Sequence, residues 1–228
     1  MPRNAPPEPV VESSDGFKRR PEAALTRTDT RTRVLKAARS VFAKKGYKAT
    51  TVEDILTEAH VARGTFYRYF PNKRQVFLDL MSELLDGIYE ATRPLVTGDG
   101  VELSGLIHDS FAQCYRLFID NRSILITFIR EGLAADVRLY ALWDDFDRRM
   151  NSVFESVLAR GASSGEFRPV DSELVSRAMM MLFLQVPYRD IMPGGRTQID
   201  VDSLAGEMAG FVLEGLGARE DFRETRQP

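Results

Sequence analysis

Cysteine and histidine are almost missing from this chain: Cys114 is the one thiol in 228 residues, and His60 and His108 are the only imidazoles. A single cysteine excludes an intrachain disulfide and a cysteine-built zinc site. Two histidines are too few for a histidine metal cluster, so no metal or other cofactor is expected. No apolar run approaches the roughly 20 residues that a membrane-spanning helix needs, and no membrane partner is expected. The first fourteen residues are rich in proline and glutamate and hold no apolar segment. They do not read as a secretory signal, which leaves a cytoplasmic protein as the expectation. Strand-like alternation of apolar and polar residues is also absent. What remains is 43% hydrophobic and 28% charged, enough for a sizeable helical core.

The net charge of −2 conceals a segregation. Between Lys18 and Arg74 stand fifteen Lys and Arg against five Asp and Glu, and the remainder is correspondingly acidic. A basic block of this size suits a nucleic-acid footprint, although a solvated basic face has the same composition. Residues 1–27 lack apolar periodicity and carry three prolines in the first seven positions, which predicts a disordered arm. Its Lys18-Arg19-Arg20 cluster reads as a solvated tail.

From Thr30 the pattern turns helical, with Val34, Leu35, Ala38, Val41 and Phe42 on one face and Gly46 as the stop. Thr51 is placed to cap a second helix with Asp54 three residues on, a variant of the capping box. Ile55, Leu56 and Ala59 form its buried face, and Val61 plugs the turn that follows. A short segment then carries Arg63, Gly64, Thr65, Tyr67, Arg68 and Tyr69 up to Pro71. Two helices joined so tightly, with basic and hydroxyl groups on the second, fit a DNA major groove. Arg63 has the donors for a guanine edge, or is a plain surface arginine; Thr65 offers a methyl or a hydroxyl to a base or phosphate. Tyr67, Tyr69 and Lys73 suit phosphates, and Phe66 and Phe70 fall on the opposite, core side.

These residues carry a family resemblance. The runs from Arg33 to Tyr47, from Thr51 to Ile55 and from Gly64 through Phe70 to Asn72-Lys73 resemble the DNA-binding signature of TetR-family transcriptional regulators, over about a fifth of the chain. The resemblance implies a three-helix DNA-binding domain on a larger helical domain that dimerises and binds a small molecule, in proteins that mostly repress and leave DNA when ligand binds. By matching position it implies DNA contacts, chiefly to phosphates, for Thr51, Thr65, Tyr67, Tyr69 and Lys73. Two departures stand out. His60 occupies the turn position usually held by glycine and would need a left-handed backbone. Glu53 stands where some members carry a base-reading arginine; an acid cannot read guanine there.

Beyond Pro71, Asn72 is placed to cap a long helix over 73–92, ended by Arg93-Pro94. Further helices are expected at 102–120, 122–133, 136–161, 171–191 and 201–216, before a flexible tail at 219–228. Their apolar stripes read as core, but the density of aromatic residues and methionine also suits an adaptable ligand pocket. Phe111, Cys114, Tyr115, Phe118, Phe128, Trp143, Phe146, Met150, Met180 and Phe183 are the candidate lining. Residues 178–186 are apolar on every side except Gln185, and such a helix must be covered all round. A homodimer interface through Met179, Leu182, Val186, Leu204, Met208, Phe211 and Val212 would cover it, with Gly206 and Gly210 permitting close approach. Cys114 reads as buried and inert; His108-Asp109 has no nucleophile at a recognisable offset.

The expectation is therefore an all-α protein: a helix-turn-helix DNA-binding domain at 28–74, then a ligand-binding and dimerisation bundle at 75–218. Its expected partners are a palindromic double-stranded operator, a small apolar or amphipathic effector that releases it, and a second copy of itself. The rivals are a DNA-binding activator or architectural protein without a pocket, and an all-helical enzyme.

Overall fold

Nine helices account for nearly all the described residues of the computed structural model, which are 21–98, 101–128, 137–191 and 199–217. In order they are α1 (Pro21–Lys45), α2 (Val52–Ala59), α3 (Arg63–Tyr69), α4 (Lys73–Thr97), α5 (Leu103–Asp120), α6 (Arg122–Thr127), α7 (Val137–Ser164), α8 (Ser172–Ile191) and α9 (Val201–Leu216). Among these residues the only strand-like feature is an isolated antiparallel bridge between Phe167 and Gly217. The all-α fold with an N-terminal helix-turn-helix thus matches the expectation. No helix among the described residues is long and apolar enough to cross a membrane.

Helix α1 starts nine residues before the expected Thr30, so residues 21–27 are helical and not part of an irregular arm. A proline suits a helix start, where its missing N–H is not needed. The rest of the expected arm, the expected tail and the end of the helix expected at 122–133 lie outside the described residues. The second difference concerns α4, which continues through Pro94 to Thr97. Pro94 withholds one backbone donor, but burial of Ala91, Thr92 and Leu95 keeps the helix turning. The Gly98 N–H closes the end by donating to the Pro94 carbonyl at 2.8 Å.

A continuous apolar core runs from Val34 in α1 to Leu216 in α9. Helix α4 is its spine: it packs on α1 at one end and on α5 and α7 along the rest. Helix α9 lies on α5, and α8 lies on α7. The chain after α7 is held by a close fit, since a Cβ added to Gly161 would sit 2.1 Å from the Phe167 ring.

Candidate functional site

The helix-turn-helix is built by directional contacts. The Thr51 hydroxyl accepts from the Asp54 N–H at 3.2 Å, and the Asp54 carboxylate accepts from the Thr51 N–H at 2.9 Å. Lys45 Nζ adds a bond to the same carboxylate at 2.5 Å. The Lys45 contact first, and then the bonds to Thr51, hold the pKa of the Asp54 carboxyl down at about 2. At the other end of α2, His60 takes the left-handed conformation with φ 51° and ψ 50°. The Val61 N–H donates to the Leu56 carbonyl and the His60 N–H to Thr57, which is a Schellman closure made without glycine. Arg33 of α1 reaches across to donate to the carbonyls of Ala59 and His60 at 2.8 and 3.0 Å. These bonds hold His60 in the left-handed conformation that residues other than glycine disfavour.

Helix α3 divides its seven residues between two faces. Phe66, like Phe70 just beyond the helix end, is wholly buried. Arg63, Gly64, Tyr67 and Arg68 are exposed, while Thr65 and Tyr69 are half-buried. A Cβ at Gly64 would meet nothing within 4 Å, so the protein's own packing does not require glycine there. Arg63 Nη2 pairs with Glu53 Oε1 of α2 on the open surface.

Lys73 stands apart from the other sequence-derived contacts. Its ammonium donates to the carbonyls of Tyr47, Thr50 and Lys48 at 2.7, 2.5 and 3.4 Å, and lies 4.5 Å from the centre of the Tyr47 ring. Tyr47 in turn packs on Phe77 with centroids 4.9 Å apart. Lys73 therefore anchors the first turn of α4 to the loop before α2. A second clasp joins α1 to α4, where Arg31 donates to Asp79 at 2.7 Å and to Glu83 at 3.0 Å.

In the C-terminal body nine of the ten candidate lining residues are buried in the core, and Trp143 packs half-buried against it. Phe111, Tyr115, Phe118 and Phe183 meet in one aromatic cluster, with centroids 5.6 to 6.4 Å apart, and Phe154 of α7 joins it through Phe183. Phe128, Trp143 and Phe146 form a second cluster. Met150 lies beside the Thr92 hydroxyl, Met180 is buried, and Cys114 faces the Ile88 carbonyl at 3.7 Å. Burial pushes the pKa of the Cys114 thiol up to about 12, so it stays protonated. Tyr115 is also fully buried, and its hydroxyl has no hydrogen-bond partner among the described residues. Burial raises its pKa well above the usual phenol range.

The candidate dimer residues divide in the same way. Met179, Met208 and Val212 are buried within the single chain, and Leu182, Val186 and Leu204 are half-buried. Phe211 alone of the seven is widely open, 63% exposed. Leu174 and Met181, which the expected interface omits, are 58% and 59% exposed. With Ala178 and Gln185 they follow a 4-3-4 spacing along the outer face of α8, a signal that periodicity alone could have supplied. Added Cβ atoms at Gly206 and Gly210 of α9 would meet open space.

Known proteins share this arrangement. Residues 34–80 match the family model described as bacterial regulatory proteins, tetR family. The chain is 28% identical over 195 residues to the transcriptional repressor KstR2 of Rhodococcus jostii, covering 82% of this chain and 91% of that protein. It is 25% identical to the transcriptional regulator YhgD of Bacillus subtilis, covering 83% and 98%. A solved tetR-family regulatory protein from Rhodococcus RHA1 superposes with a TM-score of 0.66 at 22% identity, over 84% of this chain and 98% of that one. The matched segment contains the helix-turn-helix, and the wider likeness spans the helical body; the chain belongs to the TetR family of DNA-binding transcriptional regulators.

Proposed function

We propose that the protein is a cytoplasmic, homodimeric repressor that binds a two-fold operator and leaves it when a small apolar or amphipathic effector enters the C-terminal body. The functional units are the reader at 28–74 and the sensor and dimer region at 75–218. One observation carries the reading: the α3 segment buries Phe66 and Phe70 and turns Arg63, Gly64, Tyr67 and Arg68 outward. In a major groove, Arg63 and Thr65 reach base edges, while Tyr67, Arg68 and Tyr69 meet phosphates. The Thr51 hydroxyl accepts within the protein and keeps its proton for a phosphate oxygen. Open space beside Gly64 admits the close approach of a DNA strand. Lys73 acts at one remove, by fixing α4 to the reader.

Repression is supported by the KstR2 relatives, which are transcriptional repressors. The effector reading is supported by Tyr115, a buried hydroxyl set among aromatic rings that a ligand oxygen would satisfy. Dimerisation is supported by the apolar side chains left open on α8 and α9. Two protomers would set their recognition helices for adjacent major grooves, about 34–36 Å apart. Effector binding shifts the population toward a conformer with the wrong spacing, with a coupling of roughly 1–3 kcal/mol.

Selection from a random DNA pool should return a two-fold-symmetric sequence. Replacing Tyr67 and Arg68 together with alanine should weaken binding and, through loss of the Arg68 cation, lower the salt dependence by about one unit of log–log slope per protomer. Unchanged affinity in that double variant would sink the reading.

A further inference from the structure

We propose that Glu53 sets the sequence specificity of the reader, by holding the guanidinium of Arg63 so that it meets DNA as an oriented donor to a base edge and not as a free cation for phosphates. This rests on the reading that α3 enters the major groove.

The three acids of α2 behave differently. Asp54 binds Thr51 and Lys45, and Glu58 takes Ser40 at 2.8 Å and Lys44 at 3.2 Å, so both tie α2 back to α1 or close its own first turn. Glu53 pairs forward, with the first residue of α3. Both side chains of that pair are more than half exposed, 56% for Glu53 and 60% for Arg63. An exposed pair adds little to folding, and neither side chain belongs to the core. Its consequence lies at the surface, where the N-terminal residues of a recognition helix reach base edges.

A bare carboxylate at that surface would repel phosphates. Paired with Arg63 it contributes no net charge, so the two residues together add nothing to counterion release. Glu53 engages one terminal nitrogen of the guanidinium, and a guanidinium carries five N–H donors in a fixed fork. The donors that remain have a defined direction, which favours the two acceptors of a guanine edge. Freed of Glu53, Arg63 would swing to the nearest phosphate and strengthen binding to any duplex. The acid therefore lowers indiscriminate affinity and raises discrimination, although it contacts no base.

The test uses the full-length protein, E53Q, R63A and the double variant E53Q/R63A. Each is titrated with the operator selected by the wild type and with a scrambled duplex of equal length, over a series of salt concentrations. E53Q should bind the scrambled duplex several-fold tighter, steepen the log–log salt slope by about one per protomer, and reduce the operator-to-scrambled ratio by about fivefold or more. In the R63A background the same change should tighten both duplexes equally and leave their ratio unaltered. Thermal unfolding of E53Q should match the wild type, which separates positioning from folding. A ratio preserved in E53Q, or reduced equally with and without Arg63, overturns the proposal while the groove-binding reading stands. A wild type with no preference for any selected sequence overturns both.

Discussion

The reader and the aromatic core of the body treat their polar groups differently. In the reader, polar side chains have assigned partners: Asp54 with Thr51 and Lys45, Arg33 with the end of α2, Lys73 with three carbonyls. Hydrogen bonds are directional, so such a network fixes α2 and the turn from which α3 starts. The centre of the body packs tilted and stacked rings around Tyr115 and Phe183, held by dispersion and ring contacts without assigned polar partners. The one polar side-chain atom carried by those rings, the Tyr115 hydroxyl, is buried and has no partner among the described residues. A surface that must match a duplex needs the first kind of order. A core that makes room for a ligand, as proposed for this one, is better served by the second.

The sharpest way to break this contrast is Lys73→Met. If the ammonium is a structural tie, losing it takes a donor from the carbonyls of Tyr47 and Thr50, of which Tyr47 keeps the Thr50 N–H, and lowers stability by about 1–3 kcal/mol in the absence of DNA. Chemical denaturation reads this directly; an unchanged midpoint would return Lys73 to the phosphate role implied by its position. The opposite sign is expected in the body. Tyr115→Phe removes a buried, unpaired hydroxyl and should stabilise the free protein by ~1 kcal/mol, seen as a higher melting temperature. A loss of stability would mean that the hydroxyl is already satisfied. The smallest effect belongs to Asp54. Its folded pKa of about 2 lies below the usual carboxylate value, so its stabilising contribution is present above pH ~4 and fades as pH falls through about 2. The stability gap between wild type and Asp54→Asn should therefore be full at about pH 5–7 and close toward about pH 2. A gap independent of pH would show that the charge is immaterial.

Much of the reader is legible in the sequence because its signals are local. Thr51 and Asp54 lie three residues apart, Gly46 and Asn72 bracket the motif, and the turn at His60 is encoded by its neighbours. Periodicity likewise places α5 and α9 almost to the residue. Partners distant in sequence are invisible: Arg33 meets Ala59 and Lys73 meets Tyr47, each 26 residues away. The two largest misplacements of a helix end have a related cause. Proline reads as a stop at 94 and as a mark of irregular chain before 27, yet burial around Leu95 and the tolerance of a first turn for proline outweigh that preference. The outer faces of α8 and α9 are harder still, since hydrophobicity reveals that a residue wants cover but not which neighbour supplies it.

Helix α4 is long enough to act as a lever arm. At 25 residues and 1.5 Å per residue it spans about 37 Å, and it is riveted to the reader by Lys73 and by Arg31. Pivoting such a rod by about 5° about one end sweeps the other through about 3 Å, from its rise per residue. On the proposed mechanism, a rearrangement among the rings no larger than an atomic radius would arrive at the duplex magnified, without any hinge having to open.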